Sequence, residues 1–315
     1  MEFMVELPST QPQYSPGGQR PPQEAVVALG MFDGMHIGHR ALVRQGVEIA
    51  RTLGCVAGVY TFTNHPMAVL GDGVGMLSAP AEREAALRAL GVEDVRMAEF
   101  TPALAAMRPE EFVGLLMEMW SLRGVVVGFN YTFGDKGLGT PETLAALGER
   151  YGFFTRVLPP VEFLDAPVSS SRIRACVEAG DMASAAGMLG RPYRLSGPVI
   201  RNRRIGRRIG FPTANLAPDG ERALPKRGVY ATKAAVEGAT YPSVTNVGMN
   251  PTVNGGRLSI ETHMIGFDGD VYGKTLTVEF CAYLRGERRF GSVEALKAQI
   301  GRDVEQAKAL VGKAL

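Results

Sequence analysis

Apolar residues recur along this chain with two different spacings. From residue 25 onward, short runs rich in β-branched residues alternate with longer stretches in which apolar positions repeat every three to four residues. The pattern predicts strands at 25–29, 56–62, 92–97, 124–128 and 153–158, with helices between them at 37–53, 81–90, 109–122 and 141–151. Such β-α-β alternation is typical of a doubly wound parallel sheet, which binds ligands at the carboxyl ends of its strands.

The pattern changes near residue 190. After two short helical stretches that end at Gly180 and Gly190, strand-like runs at 193–200, 229–235, 243–247, 258–265 and 275–283 are separated by Gly, Pro, Asn and Asp turns. This texture is typical of an antiparallel barrel or sandwich. From about Ser292, apolar residues return to helical spacing, so we expect a terminal helix that packs against the second half. The predicted fold class is α/β followed by β.

Composition indicates a globular protein of about two domains. The 315 residues are 45% hydrophobic and 21% charged, and 34 basic residues nearly balance 32 acidic ones. This balance provides no global field for nucleic acid or an anionic membrane. Three isolated cysteines favour a reducing compartment. Because no apolar run approaches the roughly 20 residues of a membrane span and the N-terminus has no apolar leader, we expect a cytoplasmic protein.

The most distinctive motif, GMFDGMHIGH at residues 30–39, follows the first predicted strand. Gly34 and Gly38 allow a phosphate to approach the backbone, and the next helix offers free N–H groups and a positive dipole at its start. His36 and His39, three residues apart, should project from one helix face toward the same anion. The motif predicts a triphosphate site, whose other candidate nucleotide-binding residues are Gly30, Phe32 and Asp33.

Further segments should converge on this site. Asn64 follows the second predicted strand and Asn130 the fourth, so both should face the same edge of a parallel sheet. Ser170 and Ser171 open a later helix, where hydroxyls suit phosphate oxygens, and Arg174 suits the charge of pyrophosphate. Each fragment alone is also common in purely structural settings, so its weight comes from convergence.

A glycine-arginine segment at 206–216 predicts a second phosphate site. Gly206, Arg207 and Gly210 belong to a loop that can fold over nucleotide phosphates. Thr213 and Asn215 alternate by two, so in an extended segment they face one side and can hold Mg2+. Residues 194–210 hold six arginines and no acid, which also permits a nucleic-acid patch. Because the stretch lacks interleaved aromatics, a mononucleotide site or a solvated face is favoured.

Glu261 lies in the strand-like run IETH at 260–263, on the same face as His263. Taken alone, its carboxylate is either a surface charge or a general base. Beside Mg2+ and a hydroxyl substrate, a carboxylate that deprotonates the attacking oxygen becomes the favoured interpretation.

In this order, these motifs resemble the bacterial bifunctional riboflavin kinase/FAD synthetase family. The likeness runs from about residue 25 to the C-terminus and includes LGRPY at 189–193, GVYA at 228–231, NVGMNPT at 246–252 and DVYGK at 270–274. The resemblance implies a nucleotidyltransferase domain of the HxGH type at residues 1–188, which adenylylates FMN with ATP to give FAD and pyrophosphate. It implies an antiparallel-barrel riboflavin kinase domain at 189–315.

The resemblance also implies roles for the candidate residues. It puts His36 and His39 on the ATP phosphates and Asn64 and Asn130 near nucleotide or flavin. The remaining assignments are Ser170, Ser171 and Arg174 on the departing pyrophosphate, Thr213 and Asn215 on Mg2+ and ATP, and Glu261 as base for the ribityl hydroxyl.

Two rival interpretations stay open at this point. If the protein were an adenylyltransferase for another acceptor, the GFPTAN and ETH motifs would have no assigned function. A flavin- or nucleic-acid-binding regulator without turnover would use the arginine run as a contact surface, and steep salt dependence would reveal it. The expected partners are riboflavin, FMN and ATP, with no membrane and no nucleic acid, and the oligomeric state is left open.

Overall fold

The computed structural model describes residues 22–71, 73–201, 206, 209–218, 221–250 and 257–311. The predicted nucleotide contact Arg207, and most of the arginine run, lie outside these residues. The chain divides into two compact units. The first comprises Met1–Val74 and Pro80–Val168, and the second comprises Gly75–Ala79 and Ser169–Leu315.

The first unit contains a five-stranded parallel sheet, as predicted. Its strands are β1 (Glu24–Leu29), β2 (Val56–Phe62), β3 (Asp94–Ala98), β4 (Ser121–Gly128) and β5 (Phe154–Leu158), in the order β3-β2-β1-β4-β5. Strand order reverses between β1 and β4, which makes the carboxyl ends of these two strands the switch point where open α/β sheets bind ligands.

Six helices accompany this sheet in the described residues. They are α1 (Ile37–Leu53), α2 (Met67–Leu70), α3 (Pro80–Ala89), α4 (Pro102–Ala105), α5 (Pro109–Met119) and α6 (Pro141–Tyr151). The prediction of a helix to residue 122 is wrong at its end. Trp120 takes an extended backbone, is buried, and donates its indole Nε1–H to Asp94 at 2.9 Å. The chain therefore turns into β4 directly after α5.

Both faces of the central strands β1, β2 and β4 are buried, which explains the nearly continuous apolar runs of these strands. In β1, Val27 belongs to one core with Phe112 of α5, while Val26 belongs to the other with Leu42 of α1. The α-helical layers thus hold β1 and β4 rigidly, so residues that follow these strands are placed with little freedom.

The second unit contains a closed antiparallel barrel, which decides between barrel and sandwich. Its strands are β6 (Tyr193–Ile200), β7 (Ala214–Leu216), β8 (Gly228–Val236), β9 (Ala239–Asn250), β10 (Arg257–Met264) and β11 (Thr275–Arg285), in the order β10-β7-β6-β11-β8-β9. The buried hydroxyls of Thr232, Thr245 and Thr262 form a chain across three strands, with O···O distances of 2.8 and 2.9 Å.

Among its described residues, the second unit has three long helices: α7 (Ser170–Ala179), α8 (Met182–Leu189) and α9 (Val293–Val311). The terminal helix α9 packs on the barrel through Val304, Ala307 and Val311, as the apolar spacing predicts. Helix α8 packs against β6 and β11. The helices α7 and α8, predicted to close the N-terminal half, thus lie in the same compact unit as the barrel.

Candidate active sites

A tight turn leads from β1 into α1 and shapes the first candidate site. Phe32, Gly34 and Met35 have φ values of 52°, 78° and 47°, all in the left-handed region. Such backbone is costly for the two residues with side chains, and burial of both side chains holds it in place. Asp33, within the turn, is also buried. The turn makes His36 the N-cap of α1.

His36 and His39 form a stacked pair. Their ring centroids lie 3.5 Å apart with an interplanar angle of 18°. The Nδ1 atom of His36 accepts a hydrogen bond from the backbone N–H of His39 at 3.2 Å, so the neutral ring carries its proton on Nε2. A Cβ at Gly38 would lie 3.3 Å from the His36 ring. Glycine at this position therefore leaves room for the His36 ring to stack on His39.

Both imidazoles are uncharged near neutral pH. Burial lowers the pKa of His36 to about 4. Burial lowers the pKa of His39 well below its usual 6.5, helped by the charge that His36 carries once it is protonated and by the charge of Arg83. In the described part of the chain, the Nδ1 atom of His39 is buried and has no hydrogen-bond partner. The pair thus offers ring N–H donors, and an incoming polyanion would favour their protonation.

A cavity of about 370 Å³ lies in the first unit beside His39 and is lined mainly by aromatic and aliphatic side chains. Phe62 and Phe100 meet edge to face at 5.2 Å, and Tyr131 stacks on Phe133 at 5.7 Å. Phe112 lies 5.4 Å from Phe133. The predicted residues Gly30, Phe32 and Asn130 line the same cavity. Its volume and apolar walls are those of a pocket for a small planar ligand.

Asn64 lies beside this cavity and is held by the backbone. Its Nδ2 atom donates to the Phe100 carbonyl at 3.0 Å, and its Oδ1 atom accepts from the Phe100 N–H at 2.7 Å. The carboxamide thus fixes Phe100 in the aromatic wall. The wall itself is missing from the sequence prediction, although aromatic residues at the strand ends, such as Phe62 and Tyr131, give a local signal for it.

Ser170, Ser171 and Arg174 lie at the start of α7, in the second unit. The N-cap is Ser169, whose Oγ accepts from the Arg172 N–H at 3.2 Å. Arg174 is only 8% exposed and donates its Nε–H to the Gly75 carbonyl at 3.0 Å. This part of the chain therefore supplies serine hydroxyls at a helix start and a buried guanidinium one turn later.

The barrel brings together the candidates for the second site. Glu261 on β10 lies directly opposite Asn215 on β7 and Asn246 on β9, and opposed residues of antiparallel strands project to the same side. Burial raises the pKa of the Glu261 carboxyl. Asn215 is 9% exposed, and Thr213 directly precedes its strand. Asn246 joins this row as a residue that the sequence reasoning did not assign.

The loop before β7 is tightly folded. The N–H groups of Ile209 and Phe211 donate to the Gly206 carbonyl at 3.2 and 2.9 Å, and a Cβ at Gly206 would overlap the Phe211 carbonyl oxygen. Gly210 has a φ of 86°, a conformation that favours glycine. The local geometry thus leaves no room for a side chain at Gly206 and favours glycine at position 210.

Oxygen donors dominate this second site. No cluster of three histidine, cysteine or carboxylate side chains suited to a metal occurs among the residues that the structure describes. The Thr213 hydroxyl and the Asn215 carboxamide are nevertheless hard oxygen donors that fit Mg2+, which keeps several waters and shares phosphate oxygens. In the same described ranges, no helix combines the length and apolar character needed to cross a bilayer.

Two family models match the chain. The model for FAD synthetase matches residues 18–172, and the model for riboflavin kinase matches residues 189–311. Their order along the chain is that of the two units.

Curated proteins match nearly the whole chain. Bifunctional riboflavin kinase/FMN adenylyltransferases from Listeria monocytogenes, Bacillus subtilis and Pseudomonas fluorescens are 33%, 34% and 35% identical to it. The alignments cover 90–92% of this chain and 92–94% of those proteins. A crystal structure described as a macrolide-efflux protein from Streptococcus pneumoniae superposes with a TM-score of 0.84 and 31% identity, over 95% of this chain and 97% of that one.

Proposed function

The chain belongs to the bifunctional riboflavin kinase/FMN adenylyltransferase family, and from this premise we propose which residues carry each reaction. The protein phosphorylates riboflavin to FMN and adenylylates FMN to FAD. We assign adenylylation to residues 1–188 and phosphorylation to residues 189–315, a division supported by the separate matches at 18–172 and 189–311.

Adenylylation transfers the AMP group of ATP to the FMN phosphate by in-line displacement. A phosphate oxygen of FMN attacks the α-phosphorus of ATP, and the bond from that phosphorus to the β-bridging oxygen breaks to release pyrophosphate. No nucleophilic side chain is required, so positioning and charge stabilisation carry the catalysis. His36 and His39 donate ring N–H groups to the phosphates, while Ser170, Ser171 and Arg174 receive pyrophosphate. The turn at Gly30, Phe32, Asp33, Gly34 and Gly38 admits the nucleotide.

The cavity beside His39 is the observation that carries this assignment. Its aromatic walls suit the planar isoalloxazine ring, and His39, Gly30 and Asn130 also line it, which supports binding of the reacting phosphates beside the flavin. Asn130 then contacts nucleotide or flavin directly, whereas Asn64 acts by holding Phe100 in the wall.

Phosphorylation of riboflavin takes place in the barrel. Glu261 accepts the proton of the terminal ribityl hydroxyl, whose oxygen attacks the γ-phosphorus of ATP, and ADP leaves. Thr213 and Asn215 would hold Mg2+ together with ATP, and the segment of Gly206, Arg207 and Gly210 would contact the phosphates. When bound, Mg2+ neutralises phosphate charge. Burial favours the base role of Glu261, because a raised pKa increases the proton affinity of its carboxylate.

We also propose small-molecule partners only, namely riboflavin, FMN and ATP, and no nucleic acid. A cytoplasmic location fits the three cysteines, Cys55, Cys176 and Cys281, none of which forms a disulfide.

Substitution of Tyr131 tests the flavin cavity. In Tyr131→Ala, loss of ring contacts should raise the KM for FMN about tenfold, while ring-retaining Tyr131→Phe should stay near wild type. The assay supplies FMN, ATP and Mg2+, and chromatography measures FAD. Riboflavin phosphorylation, followed in the same preparations, should not change. Equal KM values for FMN in both variants would show that the flavin does not bind in this cavity.

A further inference from the structure

Residues Gly75–Ala79, here called the strap, belong to the second unit although the segment Pro80–Val168 of the first unit separates them from the rest of it. The strap lies beside residues 221–223. The Met76 N–H donates to the Glu221 carbonyl at 2.9 Å, and the Ala223 N–H donates to the Met76 carbonyl at 2.9 Å. These two bonds form a short parallel bridge of Met76 with Arg222.

The Arg222 side chain holds the strap from the same side. Its Nε donates to the Met76 carbonyl at 3.3 Å, and its terminal NH2 donates to the Leu77 carbonyl at 2.9 Å. The same terminal group reaches the Arg194 carbonyl of β6 at 3.3 Å. Arg222 is 6% exposed. Burying a guanidinium charge costs free energy, which these charge-assisted hydrogen bonds to carbonyl oxygens offset. The same bonds hold the backbone of the strap in place.

Gly75 permits the close approach of the strap. A Cβ at this position would lie 2.6 Å from the Ala223 backbone nitrogen and 2.7 Å from the Arg222 carbonyl carbon. Both atoms are backbone, so they cannot move aside as the end of a flexible side chain can. Any other residue at position 75 would push the strap away from residues 222 and 223.

The Gly75 carbonyl accepts the Nε–H of Arg174 at 3.0 Å. Because a guanidinium is planar, a bond at Nε restricts the direction in which its two terminal nitrogens point. The orientation of Arg174 therefore depends on the position of the strap, which depends on Arg222 and on the absence of a side chain at Gly75.

We propose that the strap and Arg222 position Arg174 for adenylylation by fixing its guanidinium plane before pyrophosphate is formed. The inference rests on the role given to Arg174 above. Ordering the side chain in advance lowers the entropy cost of holding a charged group in the transition state. Neither Gly75 nor Arg222 touches the reacting atoms, so both are positioning residues.

Reverse turnover of FAD and pyrophosphate to FMN and ATP, in the full-length protein, tests this proposal. Gly75→Ala and Arg222→Lys should each raise the KM for pyrophosphate about tenfold, because a charge-assisted contact is weakened. The KM for FAD and the riboflavin kinase rate should change by less than about twofold. The matched control is Gly301→Ala, since a Cβ there meets open space, and it should leave every constant unchanged.

Combination with Arg174→Ala separates positioning from other effects. If the strap acts through Arg174, Gly75→Ala combined with Arg174→Ala should be no worse than Arg174→Ala alone. A further loss in the double variant, or an unchanged KM for pyrophosphate in both strap variants, overturns the inference. So does an equal loss of kinase activity in both, since the strap would then only support the barrel. An unaffected Arg174→Ala would instead contradict the role proposed for Arg174.

Discussion

The stacked imidazoles of His36 and His39 are neutral at pH 7, so in the proposed role they would meet a triphosphate as hydrogen-bond donors rather than as preformed cations. The motif around them is predictable from sequence, because all of its residues lie within ten positions at the end of one strand. The aromatic cavity is not, because Phe62, Phe100 and Phe133 come from separate segments that only the fold brings together. The same holds for Asn246, whose place beside Glu261 depends on strand register.

The buried neutral His36 predicts acid sensitivity of the first unit. Its folded pKa of about 4 lies below the unfolded value of 6.5, so the unfolded state binds more protons between these pH values. Stability is therefore fully present above pH 6.5 and is lost as pH falls toward 4. Between pH 7 and pH 5, His36→Gln should lose about 2 kcal/mol less unfolding free energy than wild type.

Urea titrations followed by tryptophan fluorescence measure this difference, because the single tryptophan, Trp120, is buried in the first unit. Identical pH dependence in the variant and the wild type would contradict a neutral, buried His36.

Glu261→Gln should separate the two activities. Loss of the base should lower riboflavin phosphorylation by about 10²- to 10⁴-fold, while adenylylation of supplied FMN persists. His39→Ala is the reciprocal control and should lose adenylylation only. Loss of both activities in either variant would contradict separate sites.

At the scale of elements, hydrophobic spacing predicts long helices and strands well, because burial of one face dictates the spacing. Helix α1 and strand β2 lie at their predicted positions, 37–53 and 56–62. Short elements escape this reasoning. The three-residue strand β7 and the four-residue helices α2 and α4 contain too few apolar repeats to show a period. Strand β7 in particular depends on its pairing with β10 and β6, which lie far from it in sequence.

Gly197 of β6 tests how tightly the barrel packs. A Cβ at Gly197 would overlap the carbonyl oxygen of Ala217, so Gly197→Ala should lower the unfolding free energy of the barrel by about 1–3 kcal/mol. At Gly301, in the middle of α9, a Cβ would meet open space, so Gly301→Ala should instead raise the unfolding free energy by up to about 1 kcal/mol. Thermal unfolding followed by circular dichroism compares the two, and an unchanged melting temperature for Gly197→Ala would show that the Ala217 segment yields.

At the scale of the whole molecule, the order of two activities follows from motif order, whereas the limits of the compact units do not. A boundary near residue 189 is predicted where helical periodicity ends. Contacts instead group α7, α8 and the strap with the barrel. The Lys226 N–H, for example, donates to the Val177 carbonyl of α7 at 3.2 Å. Periodicity finds elements, but it carries no information on which neighbour a helix packs against.

Two fragments compare these boundaries. A fragment of residues 189–315 should fold and phosphorylate riboflavin, because it holds every barrel strand and the candidate kinase residues. A fragment of residues 169–315 should melt roughly 5–10 °C higher, since it keeps the buried apolar side chains of α8. Kinase assays and thermal unfolding measure both quantities. An insoluble or inert 189–315 fragment would show that α7 and α8 are required parts of the kinase.

Ring closure in the second unit has a consequence for its ligands. Strand β7 closes the barrel by pairing with both β6 and β10, and Asn215 is the middle residue of this strand. A nucleotide that binds Asn215 in the closed barrel would lose this contact if β7 separated from β6 and β10. By mass action, its binding therefore favours the closed barrel. Substrates that bind Asn215, as proposed, should therefore stabilise the closed barrel, and amide exchange along residues 214–216 should slow when they are present.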